Sequence, residues 1–270
     1  MTTSLPLEII YGLYATRGHE ETMEDSVAIK HGKKWCMFLV CDGYNGRYAA
    51  DCIADTLHHW ILCRCERIES SGVELRTNDI SKIIRDGFTE MDQLLKNRGK
   101  HLDSGASVVC VLISIKYIVF AQLGRCKALA FSNNGEDVVF ETRHHGAFYK
   151  PWSVKHAGPM PRALGDFSNK PDWIRSDPDI TIFNRGESLM DTIILGSEGL
   201  WSVMSSEKVC QWLTLQQRPL HNVMVETAEN LARAAMIEGS KENISVLILK
   251  LSPKKRYCAV LNERHEALMV

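Results

Sequence analysis

Apolar and polar positions along the chain switch between two periods, and the switches mark out the elements. Residues 7–14 alternate between Pro6 and Arg17-Gly18, and 26–30 and 34–41 are short apolar-rich runs, so the chain opens with three strands. The third run ends on the carboxylate of Asp42 and turns through Gly43 and Gly46, where small residues leave room for a ligand to approach. A helix over 46–62 follows, with Ala50, Ile53, Ala54, Leu57 and Ile61 on one face, and a second over 77–97 gathers Ile80, Ile84, Phe88, Met91 and Leu95. The charged, irregular residues 64–76 read as an exposed connection between them. From Ala106 the period falls to two: strands over 107–115, 117–123, 126–132 and 137–142, with a turn at Asn133-Asn134-Gly135, read as an antiparallel meander. Residues 144–178 hold most of the prolines and little periodicity, which predicts a long surface segment of the kind that carries function. A strand over 191–197, helices over 206–213 and 221–237, and a closing strand over 244–251 complete the pattern, with Ser205 or Ser206 as an N-cap.

Composition narrows the classes. The chain has 270 residues, long enough for one large core, and no Pro, Ser or Gly-rich linker divides it, so residues 1–252 are expected to form one domain with 253–270 as a solvated tail. A net charge of -1 gives no basis for a nucleic-acid or membrane surface, and no apolar run reaches spanning length. The N-terminal residues lack the pattern of a secretory signal, so the expected place is the cytoplasm, or the nucleus if Lys254-Lys255-Arg256 serves as a basic address. Nine cysteines at irregular positions, several in apolar runs (Cys36, Cys41, Cys110, Cys210), read as reduced core residues. Cys63 and Cys65 lack the second pair that a structural zinc site needs.

One pattern recurs. Glu24-Asp25, Asp42-Gly43, Glu198-Gly199 and Glu242-Asn243 each set an acidic residue at a strand end or turn. If those strands are neighbours the acids converge, and their mutual repulsion demands a bound cation or raised pKa values. Hard oxygen donors in that number suit Mg²⁺ or Mn²⁺ in a two-metal hydrolase, but strand-end acids are also ordinary turn residues, and spacing alone leaves both readings open.

Seven segments stand out in order: Met23-Glu-Asp25, Val40-Cys-Asp-Gly-Tyr-Asn-Gly46, Ser104-Gly-Ala-Ser107, Leu123-Gly-Arg-Cys-Lys-Ala128, Pro161-Arg-Ala-Leu-Gly-Asp166, Ser197-Glu-Gly-Leu-Trp-Ser202 and Gly239-Ser-Lys-Glu-Asn-Ile-Ser245. Together they resemble the motifs of the protein phosphatase 2C family, the metal-dependent Ser/Thr phosphatases. The resemblance covers about residues 7 to 251. It implies an α+β fold of two packed antiparallel β-sheets flanked by helices, with metals at one end. By the same resemblance the metal-ligand positions are Glu24, Asp25, Asp42, the Gly43 carbonyl, Glu198 and Glu242, the last two being Glu where the family has Asp.

Three departures bear on chemistry. The family's phosphate-binding Arg falls on Glu20, its general-acid His on Tyr44, and the Asp that can hold a further metal on Arg125. An anion replaces the cation that grips the phosphate, a phenol is too weak an acid for proton transfer near neutral pH, and a guanidinium repels a metal. Arg17 is set aside as a substitute because an odd offset along an extended segment points it to the opposite face. Trp201-Ser202 in place of Trp-Asp reads as a structural change. The expectation is a pseudophosphatase, with no intact catalytic residue and at most weak Mg²⁺ or Mn²⁺ binding, acting as a monomer on a protein partner or phosphoprotein. The alternative is a weak or specialised metal-dependent Ser/Thr phosphatase.

Overall fold

The computed structural model describes residues 9–132, 136–145, 161–168, 170, 174–215 and 224–251. The turn at 133–135, the start of the predicted helix over 221–237 and the tail over 253–270 lie outside them.

The first strands, β1 (Ile9–Thr16), β2 (Ser26–His31) and β3 (Trp35–Tyr44), are followed by two long helices, α1 (Tyr48–Ser70) and α2 (Thr77–Arg98). Then come β4 (Gly105–Ser114), β5 (Tyr117–Leu123), β6 (Lys127–Ser132), β7 (Asp137–Glu141), β8 (Leu164–Gly165), β9 (Asp179–Asn184) and β10 (Thr192–Gly196). The chain closes with α3 (Glu198–Trp201), α4 (Ser206–Leu215), α5 (Met224–Ile237) and β11 (Ile244–Leu251). Two antiparallel sheets result. One has the order β1-β11-β10-β6-β7; the other has β2-β3-β4-β5-β9, with β8 on β4.

The α+β architecture expected from the resemblance is present, and alternation along the strands explains its layers. Trp35, Met37, Leu39 and Cys41 pack with α1 and α2, while Cys36, Phe38 and Val40 face the other sheet and meet Leu195, Leu247 and Leu249. The far face of that sheet buries Ile194, Val246 and Ile248 against Leu213 of α4 and Leu231 of α5. Central strands are thus covered on both sides. This is why β4 and β11 are buried along their whole length instead of alternating.

Several expectations need correction. Residues 64–70 continue α1: Cys65 is buried and Ile68 packs on the core, so the charged stretch is a helix with a narrow apolar edge. The strands from Ala106 are not one meander. β4 and β5 pair in one sheet, and the chain then crosses at Gly124 to place β6 and β7 in the other. The segment 144–178 is not all surface, because Ala163, Leu164 and Asp166 are buried where β8 pairs with β4. β9 and the short α3 were absent from the periodic reading. Ser205 is the N-cap of α4, its Oγ accepting from the Lys208 N–H at 3.2 Å. All eight cysteines among the described residues are free thiols. Among the described residues no helix is long and apolar enough to cross a membrane.

Candidate functional site

Strand parity decides where the acids go. Val27 and Ile29 of β2 and Phe38 and Val40 of β3 face the space between the sheets, so Asp25 and Asp42, on the same parity, face it too. The register Ser26↔Cys41, continued by one residue, sets Asp25 opposite Asp42. Two carboxylates are thereby pressed together at the mouth of the sandwich. Burial, then Asp25, pushes the Asp42 carboxyl well above the usual range. Burial is also the main cause that lifts Asp25 to about 6, offset in part by hydrogen bonds from Ser245 and Ser197.

Asp25, Asp42 and Glu24 already hold donors. The Ser245 hydroxyl donates to Asp25 Oδ2 at 2.7 Å, while Asp25 Oδ1 is buried without a hydrogen-bond partner. The Glu198 N–H, at the start of α3, donates to Asp42 Oδ2 at 2.7 Å. Glu24 takes the Thr22 hydroxyl at 3.2 Å on one oxygen and the Gly46 N–H at 3.0 Å on the other. Glu242 stands before β11, where partial burial and the nearby Glu198 and Glu20 push its carboxyl up. A Cβ at Gly43 would collide with the Glu24 carbonyl oxygen, so the smallness of this residue admits the neighbouring chain. The turn itself falls on Asn45 and Gly46, at φ of 54° and 98°.

Arg125 is the cation of the site. Its Nη1 lies 3.1 Å and 2.9 Å from the two Glu198 carboxylate oxygens, with side chains only 12% and 28% exposed. Both oxygens at one candidate ligand position thus rest on a guanidinium, and among the described residues no three acidic, His or Cys side chains are grouped to share an ion. As arranged, this donor set does not fit a bridged pair of divalent ions.

Glu20 is exposed in a turn, its N–H donating to the Arg17 carbonyl at 3.1 Å, within the field of Glu242. This turn removes the extended geometry on which Arg17 was set aside; the Arg17 guanidinium donates to the Glu21 carbonyl at 3.2 Å. The Tyr44 hydroxyl donates to Asp166 Oδ2 at 3.0 Å, and burial together with that carboxylate pushes the phenol further up. Asp166 is buried at φ of 58°, its Oδ1 without a partner.

Three participants were missed by sequence reasoning. Asp166 was visible only as part of a matching motif. Asn243 ties the loop before β2 in place: its Nδ2 donates to the carbonyls of Arg17 at 3.0 Å and Thr22 at 2.9 Å, and its Oδ1 accepts from the Glu24 N–H at 2.7 Å. His144 lies in the field of Glu198 and Arg125, and burial holds its pKa below the usual value.

A family model described as protein phosphatase 2C matches residues 11–151 and 152–244. The chain belongs to the protein phosphatase 2C family. Protein phosphatase 1B of Homo sapiens is 27% identical over 281 residues, which cover 90% of this chain and 57% of the human protein. Protein phosphatase 1A of Bos taurus is 26% identical over 286 residues, covering 90% and 72%. This chain therefore spans little more than half the length of the human relative. Among solved structures, a C. elegans sex determining protein superposes with a TM-score of 0.74 at 19% identity, covering 91% of this chain and 65% of that one. A bacterial serine phosphatase follows at 0.71 and 17%, covering 92% and 100%. These two likenesses establish the phosphatase 2C fold.

Proposed function

We propose that this phosphatase 2C domain is impaired in hydrolysis and works as a binding or regulatory module for a protein partner or phosphoprotein. The observation that carries the reading is Glu20, which stands where the family resemblance puts the phosphate-binding Arg and adds to the negative field on Glu242. A phosphate dianion entering beside Glu20 and Glu242 meets like charge. In a partly desolvated cleft each such encounter opposes binding by about 1–4 kcal/mol. The Tyr44 hydroxyl supports the same reading, since Asp166 engages its proton and raises its pKa.

A second reading, a weak or specialised Mg²⁺- or Mn²⁺-dependent Ser/Thr phosphatase, draws on His144. This imidazole lies in the field of Glu198, in the neighbourhood where the Tyr44 proton is engaged by Asp166.

The test is release of phosphate from a phosphothreonine peptide with Mn²⁺. The impaired reading expects no rate above that of Asp42→Ala, and recovery when Glu20→Arg, Tyr44→His, Arg125→Asp, Glu198→Asp and Glu242→Asp are combined. Hydrolysis by the unaltered chain that Asp42→Ala abolishes would refute it, and loss of that hydrolysis in His144→Gln would favour the second reading.

A further inference from the structure

Carboxylates collected in a cleft between two sheets repel one another, and a cation among them relieves that repulsion. Asp25 lies opposite Asp42 and is 3% exposed, and Glu198 and Glu242 flank them from the other sheet. Arg125 sits among them with its guanidinium on both Glu198 oxygens, its backbone N–H donating to Ser107 Oγ at 3.1 Å. Ser107 is fully buried in β4 at the register position opposite Asp42. The Arg125 backbone is therefore fixed to the strand that carries the acids' neighbours, and its side chain spans from one sheet to the start of α3 on the other.

We propose that Arg125 is the resident cation of this site, taking by a covalently attached charge the place that a divalent ion would otherwise hold, so that the domain's acidic end is assembled without metal. The chemistry favours exchange of one for the other, not coexistence. A planar guanidinium pairs with a carboxylate through fixed donors and cannot lose its charge. While it does so, Glu198 is neutralised and an incoming dication meets a fixed positive charge instead of a free ligand. Asp42 is committed as well, because the Glu198 N–H that donates to it is set by the same residue whose side chain Arg125 grips. A metal would have to break the ion pair and turn Glu198 before gaining its oxygens. The inference concerns assembly and metal affinity, and it holds whichever reading of hydrolysis is correct; its test therefore reads binding and melting, not turnover.

The experiment titrates Mn²⁺ by electron paramagnetic resonance and records thermal melting with and without Mn²⁺, on the full chain and two variants. The unaltered chain should leave Mn²⁺ free and shift in Tm by no more than about 1 °C at millimolar Mn²⁺. Arg125→Ala should melt about 5–10 °C lower without metal, because Glu198 and Glu242 lose their counter-charge. It should also gain Mn²⁺ binding that restores much of the loss, and adding Asp42→Ala should remove that gain. Arg125→Lys, which keeps the charge and folds more readily than the truncation, should keep Mn²⁺ out. Stoichiometric Mn²⁺ binding by the unaltered chain would overturn the proposal. So would an Arg125→Ala protein that neither binds Mn²⁺ nor is stabilised by it, or an Arg125→Lys protein that binds Mn²⁺ as Arg125→Ala does.

Discussion

Asp25 carries a cost that a single substitution should relieve. It is 3% exposed, one of its oxygens has no partner, and Asp42 lies opposite on the same face. Its carboxyl is raised from 3.8 to about 6, chiefly by burial. A folded-state pKa above the unfolded one means the fold binds the extra proton, so this contribution to stability is full below pH 3.8 and is lost as pH rises through about 6. Asp25→Asn should thus stabilise the domain at pH 7.5, by up to about 3 kcal/mol, and have little effect near pH 4. Urea titrations at the two pH values measure this, and an equal effect at both would contradict it. Asp25 and Asp42 were legible in the sequence because strand parity and a turn locate them from local pattern. The Arg125–Glu198 pair was not: its members are 73 positions apart, and only the packing of β6 beside β10 brings them together. Tyr44 and Asp166, 122 apart, were hidden for the same reason.

At the scale of elements, the loop between β1 and β2 has no regular structure to hold it, and Asn243 supplies the hold from across the chain. Its amide satisfies two carbonyls and one N–H of that loop and is 9% exposed. Replacing it by Ala leaves the Thr22 carbonyl and the Glu24 N–H unpaired at about 1 kcal/mol each, while the Arg17 carbonyl keeps the Glu20 N–H, so Asn243→Ala should cost about 2 kcal/mol. It should also speed hydrogen exchange at the Glu24 amide while leaving β4 amides unchanged, and unaltered exchange at Glu24 would show the loop is held by something else. α2 falls close to its expected bounds because its apolar period is strong, and β5 and β11 because they are apolar-rich runs buried on both faces, whereas the end of α1 was lost because Arg64, Glu66, Arg67 and Glu69 look like a connection when their apolar partners Cys65 and Ile68 are few. The meander over β4 to β7 failed for a different reason. Alternation says that strands exist, but it does not say which sheet each joins.

Across the whole molecule, the sheet that holds β10 draws its strands from both ends of the chain. β1 pairs with β11 over eight residues, from Ile9↔Leu251 to Thr16↔Ile244, while β6 and β7 come from the middle. Neither half of the sequence can complete that sheet, and the other sheet buries Phe38, Val111 and Phe120 against it. A disturbance at the β1 edge should therefore be felt everywhere. Gly12 offers one: β1 passes so close to α5 that a Cβ at this position would overlap the Met224 backbone, which cannot move like a side-chain tip. Gly12→Ala should lower stability by about 3 kcal/mol or more. If residues 9–251 unfold as one unit, the urea midpoint should drop equally for far-UV dichroism and for the fluorescence of a protein retaining Trp35 alone, a fully buried residue of the opposite sheet. A midpoint for Trp35 that stays where it was would divide the molecule into two cooperative parts, with the acidic site at their seam.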